Sequence, residues 1–366
     1  MKIFVTSGYG YWGNFTPDDL NGENVQIGGG ETAMISVSRE IAALGHDVTV
    51  FYDVNPPGRY HGVDYLPAGL FVPLACNQEF DVLVCWDAPH ALRFRDRAKV
   101  RVLAFQLNDA QIGPFDHMVD LYMHPSQWHI DMFHELYPEM STFKSVARVT
   151  NGIDYNRYVP VVSPDEVRKP RVIYSSSPDR GLHHLLRMWP LVHKEVPEAE
   201  LHVFYDMKRW LDLDDRVRAE GGLTNTSERA AIIKDQIEHP ENLPNVTFHG
   251  AVGQGRLARE QAMSKVMAYP CDPVRPTEGF SMSILEGITA GCHVISTNAD
   301  ALPELWSSAP NTTLLPLPVD DGVWVQTIIE RLTCTPMEAV MYNQIMSWQH
   351  IARRWVTEIS RCLNKQ

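Results

Sequence analysis

The chain has 366 residues, of which 44% are hydrophobic and 21% are charged, and its formal net charge at pH 7 is −13. This length exceeds the ~250–300 residues at which a single hydrophobic core stops growing, and the composition excludes an intrinsically disordered chain. The acidic charge disfavours binding to nucleic acid and leaves at most peripheral contact with a membrane.

The first fifty residues predict a βαβ unit. Residues 2–7 and 47–51 are short apolar segments typical of strands, and residues 32–44 carry apolar side chains at helical spacing. Gly45 is a natural helix end. A βαβ unit implies a parallel sheet with a right-handed crossover.

Two series of strands and helices follow, separated by a proline-rich segment. The first series has predicted strands at 81–85, 101–105, 119–123 and 147–150 and a predicted helix at 127–136. The second series has predicted strands at 171–175, 200–205, 246–248, 265–269, 293–296 and 313–315. The sequence therefore predicts one domain over 1–158, a linker over 159–170 and a second domain over 171–343.

Cysteines, histidines and apolar runs give no sign of a metal site or a membrane span. The six cysteines lack metal-ligand spacing and indicate reduced thiols. His117, His124, His129 and His134 also fit no metal motif, which indicates surface histidines. No apolar run approaches ~20 residues and no signal-peptide pattern is present, so we expect a cytoplasmic protein.

The densest group of chemistry-bearing residues follows the predicted strand 265–269. It consists of Glu278, Gly279, Phe280, Ser281, Met282, Ser283 and Glu286, and the last four residues of the group lie in a predicted helix at about 281–290. Ligands of open parallel sheets bind beyond the carboxyl ends of the strands. The loop amides and the first-turn amides of the helix can bind hydroxyls and an anion. A buried carboxylate at Glu286 can accept two ribose hydroxyls.

These residues resemble the signature of retaining glycosyltransferases of the GT-B fold, in particular family 4. That signature, E-G-F-x-x-x-x-L-E-A-x-A-x-G, is matched by Glu278, Gly279, Phe280, Leu285, Glu286 and Gly291. Gly287 and Thr289 stand where the family usually has Ala. An ordinary strand–helix unit with two incidental glutamates is the alternative interpretation.

Four further segments are similar to the family in order and spacing: 151–154, 178–182, 245–250 and 301–304. The resemblance makes Arg180 the cation for the diphosphate and places His249 and Gly250 beside the nucleotide base. The loop 175–180 lacks the first Arg that the family often has, so Arg180 alone, helix amides or serine hydroxyls must compensate. Arg275 is a second candidate cation, with a surface role equally open.

In the first domain, the resemblance is thinner. Gly28, Gly29 and Gly30 resemble the glycine-rich loop that approaches a phosphate or the acceptor. Asn108 stands at the position where related enzymes often have a His that hydrogen-bonds the transferred sugar, and Asp109 is the alternative. Asp87 and His90 are candidates for the acceptor side, although a lone loop His is more often structural.

The resemblance implies an α/β GT-B fold: two Rossmann-like domains that face an interdomain cleft, with a C-terminal helix of about 344–366 crossing back to the first domain. It implies transfer of a hexose-type sugar from a nucleoside diphosphate sugar to an acceptor hydroxyl, with retention of configuration and without a metal or other cofactor. Glu278, Arg180 and Asn108 are the expected catalytic residues. The acceptor is expected to be a glycan, a lipid-linked sugar or a small molecule.

Other functions remain open from sequence alone. A GT-B sugar-nucleotide epimerase would act on the donor without an acceptor, and a pyridoxal phosphate-dependent phosphorylase would usually be far longer. A non-catalytic protein that binds sugars or nucleotides would keep the fold and lose the chemistry. A DNA-base glucosyltransferase is disfavoured by the acidic charge.

Overall fold

The computed structural model describes residues 1–7, 15–108, 113–138, 145–158, 168–334 and 346–365. The described residues form two compact units. Unit 1 is drawn from Met1–Asn21, Gln26–Asp154 and Asn343–Gln366, and unit 2 from Gly22–Val25 and Tyr155–Tyr342. Residues 159–167 of the predicted linker lie outside the described residues, and Lys169 and Pro170 belong to a strand of unit 2.

The strands and helices alternate along most of the chain. The described strands are β1 Lys2–Thr6, β2 Asp47–Phe51, β3 Gly58–Tyr60, β4 Val63–Leu66, β5 Phe80–Trp86, β6 Ala98–Ala104, β7 Leu121–His124, β8 Ser145–Arg148, β9 Lys169–Tyr174, β10 Glu200–Phe204, β11 Val246–Gly250, β12 Ser264–Tyr269, β13 His293–Thr297 and β14 Thr312–Leu315. The described helices are α1 Gly29–Ala43, α2 Phe71–Asn77, α3 Gln127–Leu136, α4 Leu182–Glu195, α5 Met207–Ala219, α6 Ser227–Glu238, α7 Gln254–Met263, α8 Met282–Thr289, α9 Leu302–Trp306, α10 Asp321–Thr333 and α11 Trp348–Leu363.

Unit 1 is built on one sheet, whose described strands run in the order β3-β4-β2-β1-β5-β6-β7-β8. Its neighbouring strands pair in parallel except for the β3–β4 hairpin. Aromatic rings fill the core, where Phe4 stacks on Phe80 with 4.2 Å between ring centroids. The predicted βαβ opening is confirmed, whereas the hairpin and α2 were not predicted.

The C-terminal helix belongs to unit 1, as the sequence predicts. Trp348, Ile351, Trp355 and Ile359 form the buried face of α11. The Trp355 ring stacks on Trp86 at the end of β5, with 5.4 Å between the ring centroids. This apolar stripe at helical spacing is the reason that the last helix packs in the first unit although it follows the second in sequence.

Unit 2 contains a parallel sheet whose described strands run in the order β11-β10-β9-β12-β13-β14. Successive strands are added on one side of β9 up to β11 and then on its other side from β12 onward. The loops after the neighbouring strands β9 and β12 therefore meet at the carboxyl edge of the sheet. Each unit is a Rossmann-like α/β domain. No helix in the described part of the chain combines the length and the apolar character that crossing a membrane requires.

A short segment from the loop between β1 and α1 lies in unit 2. The amides of Gly253 and Gly255, at the start of α7, donate to the carbonyls of Glu23 and Gly22 at 2.8 and 2.9 Å. A Cβ on Gly253 would lie 2.3 Å from the Gly22 carbonyl oxygen. The predicted first domain spans this segment, because sequence patterns do not show where a loop packs.

Gly181 fixes the approach of the loop after β9 to the loop after β12. Its φ of 113° is in the left-handed region, and a Cβ at this position would lie 1.8 Å from the carbonyl oxygen of Pro270. Any side chain therefore meets both backbone strain and a backbone clash. Glycine is required here so that α4 can begin directly beside β12.

We expect Gly181→Ala to lower the free energy of unfolding by ~2–5 kcal/mol, because the methyl group clashes with backbone that cannot rotate away. Gly221→Ala is the matched control, since Gly221 also has a positive φ of 78° but no atom within 4 Å of its Cβ position. It should cost only ~1–2 kcal/mol. Urea unfolding of both variants measures the difference, and equal losses would contradict the clash.

Candidate functional site

Arg180 and Glu278 meet where the loops after β9 and β12 come together. Glu278 is only 1% exposed, and the Arg180 guanidinium donates a charged hydrogen bond to its Oε1. Arg180 ends a 3-10 turn at Pro178–Arg180, immediately before Gly181. The buried carboxylate is thus neutralised by a cation that keeps 29% of its side chain exposed.

The loop that carries Glu278 is held by residues that follow β13. Oδ2 of Asp300 accepts from the amides of Thr277 and Glu278 at 2.8 and 3.0 Å. The Ala301 amide donates to the Glu278 carbonyl at 3.2 Å.

The Trp306 indole donates to the carbonyl of the buried Phe280 at 2.9 Å. The segment 301–304 noted in the sequence therefore packs against this loop, and Asp300 is a residue that the sequence did not single out.

Helix α8 begins beside this loop without a side-chain cap. Ser281 has a left-handed φ of 70° and its side chain makes no cap hydrogen bond. The Ser283 hydroxyl donates to the Ser175 carbonyl at 2.9 Å, which joins the first turn of α8 to the loop after β9. The N-cap side chain thus leaves the first-turn amides of α8 available to an anion.

Glu286 lies one turn further along α8 and is 4% exposed. Burial raises the pKa of its carboxyl, against opposing effects of Arg157 and of a hydrogen bond from Gln261. Gln261 lies on α7, and its Nε2 is 3.4 Å from the Ser175 hydroxyl. The sequence predicted a buried carboxylate here. The structure adds a hydrogen-bond donor from α7, Gln261, and the charge of Arg157 from the segment before β9.

His249 is held by a chain of side-chain hydrogen bonds. Its Nε2 is 2.9 Å from Nδ1 of His202, and Nε2 of His202 is 3.2 Å from Glu200. Nδ1 of His249 is 3.4 Å from the Arg256 guanidinium. Arg256 can thus donate to His249, His249 to His202 and His202 to Glu200, so that each donor has one acceptor. The His249 ring stacks on Phe204 at 4.3 Å. Both ring nitrogens are therefore engaged within unit 2.

The turn that carries Asn108 lies in unit 1, after β6. Oδ1 of Asp87, at the end of β5, accepts from the amides of Gln106 and Leu107 at 2.7 and 3.0 Å. Gln106 Oε1 accepts from Asn151 Nδ2 at 2.7 Å. Asn108 is 9% exposed, and its amide oxygen and nitrogen have no partner within the described residues. A polar side chain that is buried and unsatisfied costs free energy, which is typical of a ligand site.

Residues 167–348 match the family model described as "Glycosyl transferases group 1". The segment that resembles this family therefore contains Arg180, Glu278 and Glu286. Comparison of the sequence with curated proteins gives no significant match.

Solved structures similar to this chain are glycosyltransferases. AviGT4, involved in avilamycin A biosynthesis, has a TM-score of 0.65 at 13% identity, covering 100% of this chain and 99% of AviGT4. Sucrose-phosphate synthase from Thermosynechococcus elongatus has a TM-score of 0.65 at 13% identity, covering 100% of both chains. HepE from Anabaena, solved with UDP-glucose, has a TM-score of 0.63 at 17% identity, covering 100% of this chain and 99% of HepE. These likenesses show the GT-B fold.

The predicted glycine-rich loop and His90 lie in unit 1. Gly28 precedes α1, and Gly29 and Gly30 form its first turn, where a Cβ on Gly30 would meet no atom within 4 Å. His90 is exposed in the 3-10 turn after β5. Asp109 lies outside the described residues. The roles proposed for these residues stay predictions.

The prediction of surface histidines is wrong for two of the four. His124 and His129 are buried, and their Nδ1 atoms lie 2.7 Å apart against the rings of Phe105 and Phe133. His124 ends β7 and His129 lies on the inner face of α3, so the strand–helix packing buries both. Burial lowers the pKa of His129 to about 4, so a neutral pair occupies this core at pH 7.

One group in the described part of unit 2 has side chains of the metal-binding type: His183, His184 and Asp272. The Arg229 guanidinium lies 2.9 Å from the His183 ring and 3.2 Å from Asp272. Nε2 of His184 is 2.8 Å from Asp272. A guanidinium cation already contacts two members of this group, so the geometry suits an ion-pair network better than a metal ion.

We expect Arg180→Met to lower the free energy of unfolding by ~2–4 kcal/mol, because it leaves the buried Glu278 carboxylate without its cation. The expected loss is below that of a fully buried pair since Arg180 is partly exposed. In a double-mutant cycle, Arg180→Met combined with Glu278→Gln should lose less than the sum of the two single variants, because neither charge remains. Additive losses in urea unfolding would mean that the two side chains do not interact.

We also expect stability to fall as the pH drops from about 6.5 toward 4, and His202 to contribute to the loss. Burial lowers the pKa of His202 to about 4, so below its unfolded pKa only the unfolded chain binds the proton. Each such group contributes at most ~1.4 kcal/mol per pH unit. Urea unfolding at pH 7 and pH 5 should show a weaker pH dependence for His202→Gln than for the wild type. The same dependence in both proteins would exclude His202.

Proposed function

We propose that the protein is a retaining glycosyltransferase that moves a hexose from a nucleoside diphosphate sugar to an acceptor hydroxyl. The observation that carries the proposal is the pairing of Arg180 with the buried Glu278 beside the uncapped start of α8. An anion site, a carboxylate for sugar hydroxyls and the family match of residues 167–348 coincide in unit 2. We place the reaction in glycan biosynthesis in the cytoplasm, as the sequence suggests.

The diphosphate is the leaving group, and it gains negative charge as its bond to the sugar breaks. Arg180 and the first-turn amides of α8 would stabilise this charge from fixed positions. Before the donor binds, Arg180 is neutralised by Glu278. The diphosphate competes for the guanidinium, and Glu278 is then free to accept hydrogen bonds from hydroxyls of the hexose. One cation therefore couples diphosphate binding to the availability of the sugar-binding carboxylate.

The nucleoside would be held on the other side of α8. Glu286 accepts the ribose hydroxyls, and its pKa, raised by burial, falls back when two hydroxyls donate to it. Because both ring nitrogens of His249 are engaged, we assign base recognition to the backbone at His249 and Gly250. A Cβ on Gly250 would meet no atom within 4 Å, so the backbone there is open to a ligand. The UDP-glucose bound by the similar HepE makes UDP-hexoses the first donors to test.

Asn108 would hydrogen-bond the transferred sugar. An amide both donates and accepts, but it does not titrate near neutral pH, so its role is to orient the sugar. The proton of the acceptor hydroxyl would pass to the departing phosphate. Positive charge from Arg180 and α8 takes the place that a metal ion has in other transferases, and we propose a metal-independent reaction.

A panel of UDP-, GDP-, ADP- and dTDP-linked hexoses tests the proposal by thermal shift. A donor at ~100 times its dissociation constant adds ~2.7 kcal/mol to the stability of the folded protein. Glu286→Ala should abolish the shift produced by the best donor, whereas Glu238→Ala, at an exposed carboxylate that ends α6, should leave it unchanged. No stabilisation by any donor, or an equal shift in Glu286→Ala, would refute the donor site.

The reaction type is tested with the same donor and a panel of sugar acceptors. NMR spectroscopy of the product should show the anomeric configuration of the donor retained. An assay with the donor alone should give slow hydrolysis and no epimer, since the proposed chemistry needs an acceptor hydroxyl. An inverted product or an epimerised donor would contradict the retaining transfer.

A further inference from the structure

Asp300 occupies a position between β13 and α9 where its backbone conformation is unfavourable for most residues. Its φ is 50°, in the left-handed region that Asp and Asn tolerate better than other non-glycine residues. From this position its carboxylate reaches back across the sheet edge to the loop after the neighbouring strand β12. The conformation therefore serves a contact between two loops and not the turn alone.

The contact is directed at the backbone of Glu278. One carboxylate oxygen accepts from the consecutive amides of Thr277 and Glu278, and the next residue, Ala301, donates to the Glu278 carbonyl. Both backbone polar groups of Glu278 are thus fixed by the segment after β13. A charged acceptor shared by two amides is stronger than a neutral one. The three hydrogen bonds therefore hold three consecutive peptide groups of the loop, from Pro276 to Gly279.

The loop passes from exposed to buried on its approach to Glu278. Val274, Arg275 and Pro276 are exposed, whereas Glu278 and the two residues after it are buried. The step from exposed to buried chain occurs at the two amides that Asp300 binds. Without this acceptor, Glu278 would be held by the hydrogen bond from Ala301 and by the ion pair with Arg180, and the donor diphosphate is proposed to disrupt that ion pair.

The same geometry recurs in unit 1. Asp87 follows β5 with a φ of 49°, and its Oδ1 accepts from two consecutive amides in the loop after the neighbouring strand β6. That loop carries Asn108. In both units, an Asp with a left-handed φ follows one strand and accepts from two amides of the adjacent loop. In unit 1 the second amide belongs to the residue before Asn108, and in unit 2 it belongs to Glu278 itself.

We propose that Asp300 is a positioning residue that keeps the Glu278 carboxylate aligned with the hexose after Arg180 has turned to the diphosphate. The inference rests on the proposed function, because it assigns a role to Asp300 in donor binding. The affinity for the donor then has two contributions: α8 binds the nucleotide, and Glu278 binds the hexose. Asp300 acts only on the second part.

The test compares Asp300→Gly and Asp300→Asn with the wild type. Glycine adopts the positive φ freely but removes the acceptor, whereas asparagine keeps both the φ and an acceptor oxygen. By isothermal titration with UDP and UDP-glucose, or with the pair that stabilises the wild type best, Asp300→Gly should lose the extra affinity for the sugar-bearing ligand and keep its affinity for the free nucleotide within about twofold. Its kcat should fall roughly 10–100-fold. Asp300→Asn should restore both values to within about threefold of the wild type.

Asn245→Gly is the matched control for replacing a left-handed residue by glycine. Asn245 has a φ of 53° and precedes β11 at an exposed site, so its replacement should leave the two affinities unchanged. A lower melting temperature of Asp300→Gly with an unchanged ratio of the two affinities would show a structural role only and overturn the inference. A wild type that binds no nucleotide sugar would overturn the proposed function and this inference together, whereas an active wild type with an equally active Asp300→Gly overturns the inference alone.

Discussion

The ion pair between Arg180 and Glu278 is the interaction on which the proposed donor site depends. A carboxylate as buried as Glu278 is stable only beside a cation or several hydrogen-bond donors, and Arg180 supplies the cation. Gly181 allows this approach, since no other residue could adopt its conformation so close to Pro270. The site is therefore a consequence of two neighbouring parallel strands whose following loops approach closely at Gly181, where there is no side chain.

Loops at the carboxyl edge of a parallel sheet expose backbone amides that no strand or helix satisfies. In this protein, acidic side chains of adjacent loops bind some of these amides, through Asp300 in unit 2 and Asp87 in unit 1. The arrangement leaves the first turn of α8 uncapped while the loop before it is fixed. A rigid loop followed by free helix amides is a suitable geometry for an anionic ligand, because the amides need not reorganise when it binds.

Neutral histidines are a second feature of the interior. Burial lowers the pKa of His129, His183, His202 and His293 into the range of about 3 to 4. In the hydrogen-bond series that runs from Arg256 to Glu200, His249 and His202 each donate once and accept once, which requires the neutral form of both rings. The networks therefore specify tautomers as well as positions, and they favour the folded state at neutral pH over acidic pH.

The sequence by itself determined the alternation of strands and helices, the spacing of Glu278 and Glu286 across the start of α8, and the apolar face of α11, because these depend on local periodicity and short-range spacing. Only the tertiary structure decided which loops share a sheet edge. It placed His124 and His129 in the core, revealed the β3–β4 hairpin, and set Asp300 against the amides before Glu278. Such contacts join residues that are distant in sequence, and no local pattern records which strands become neighbours.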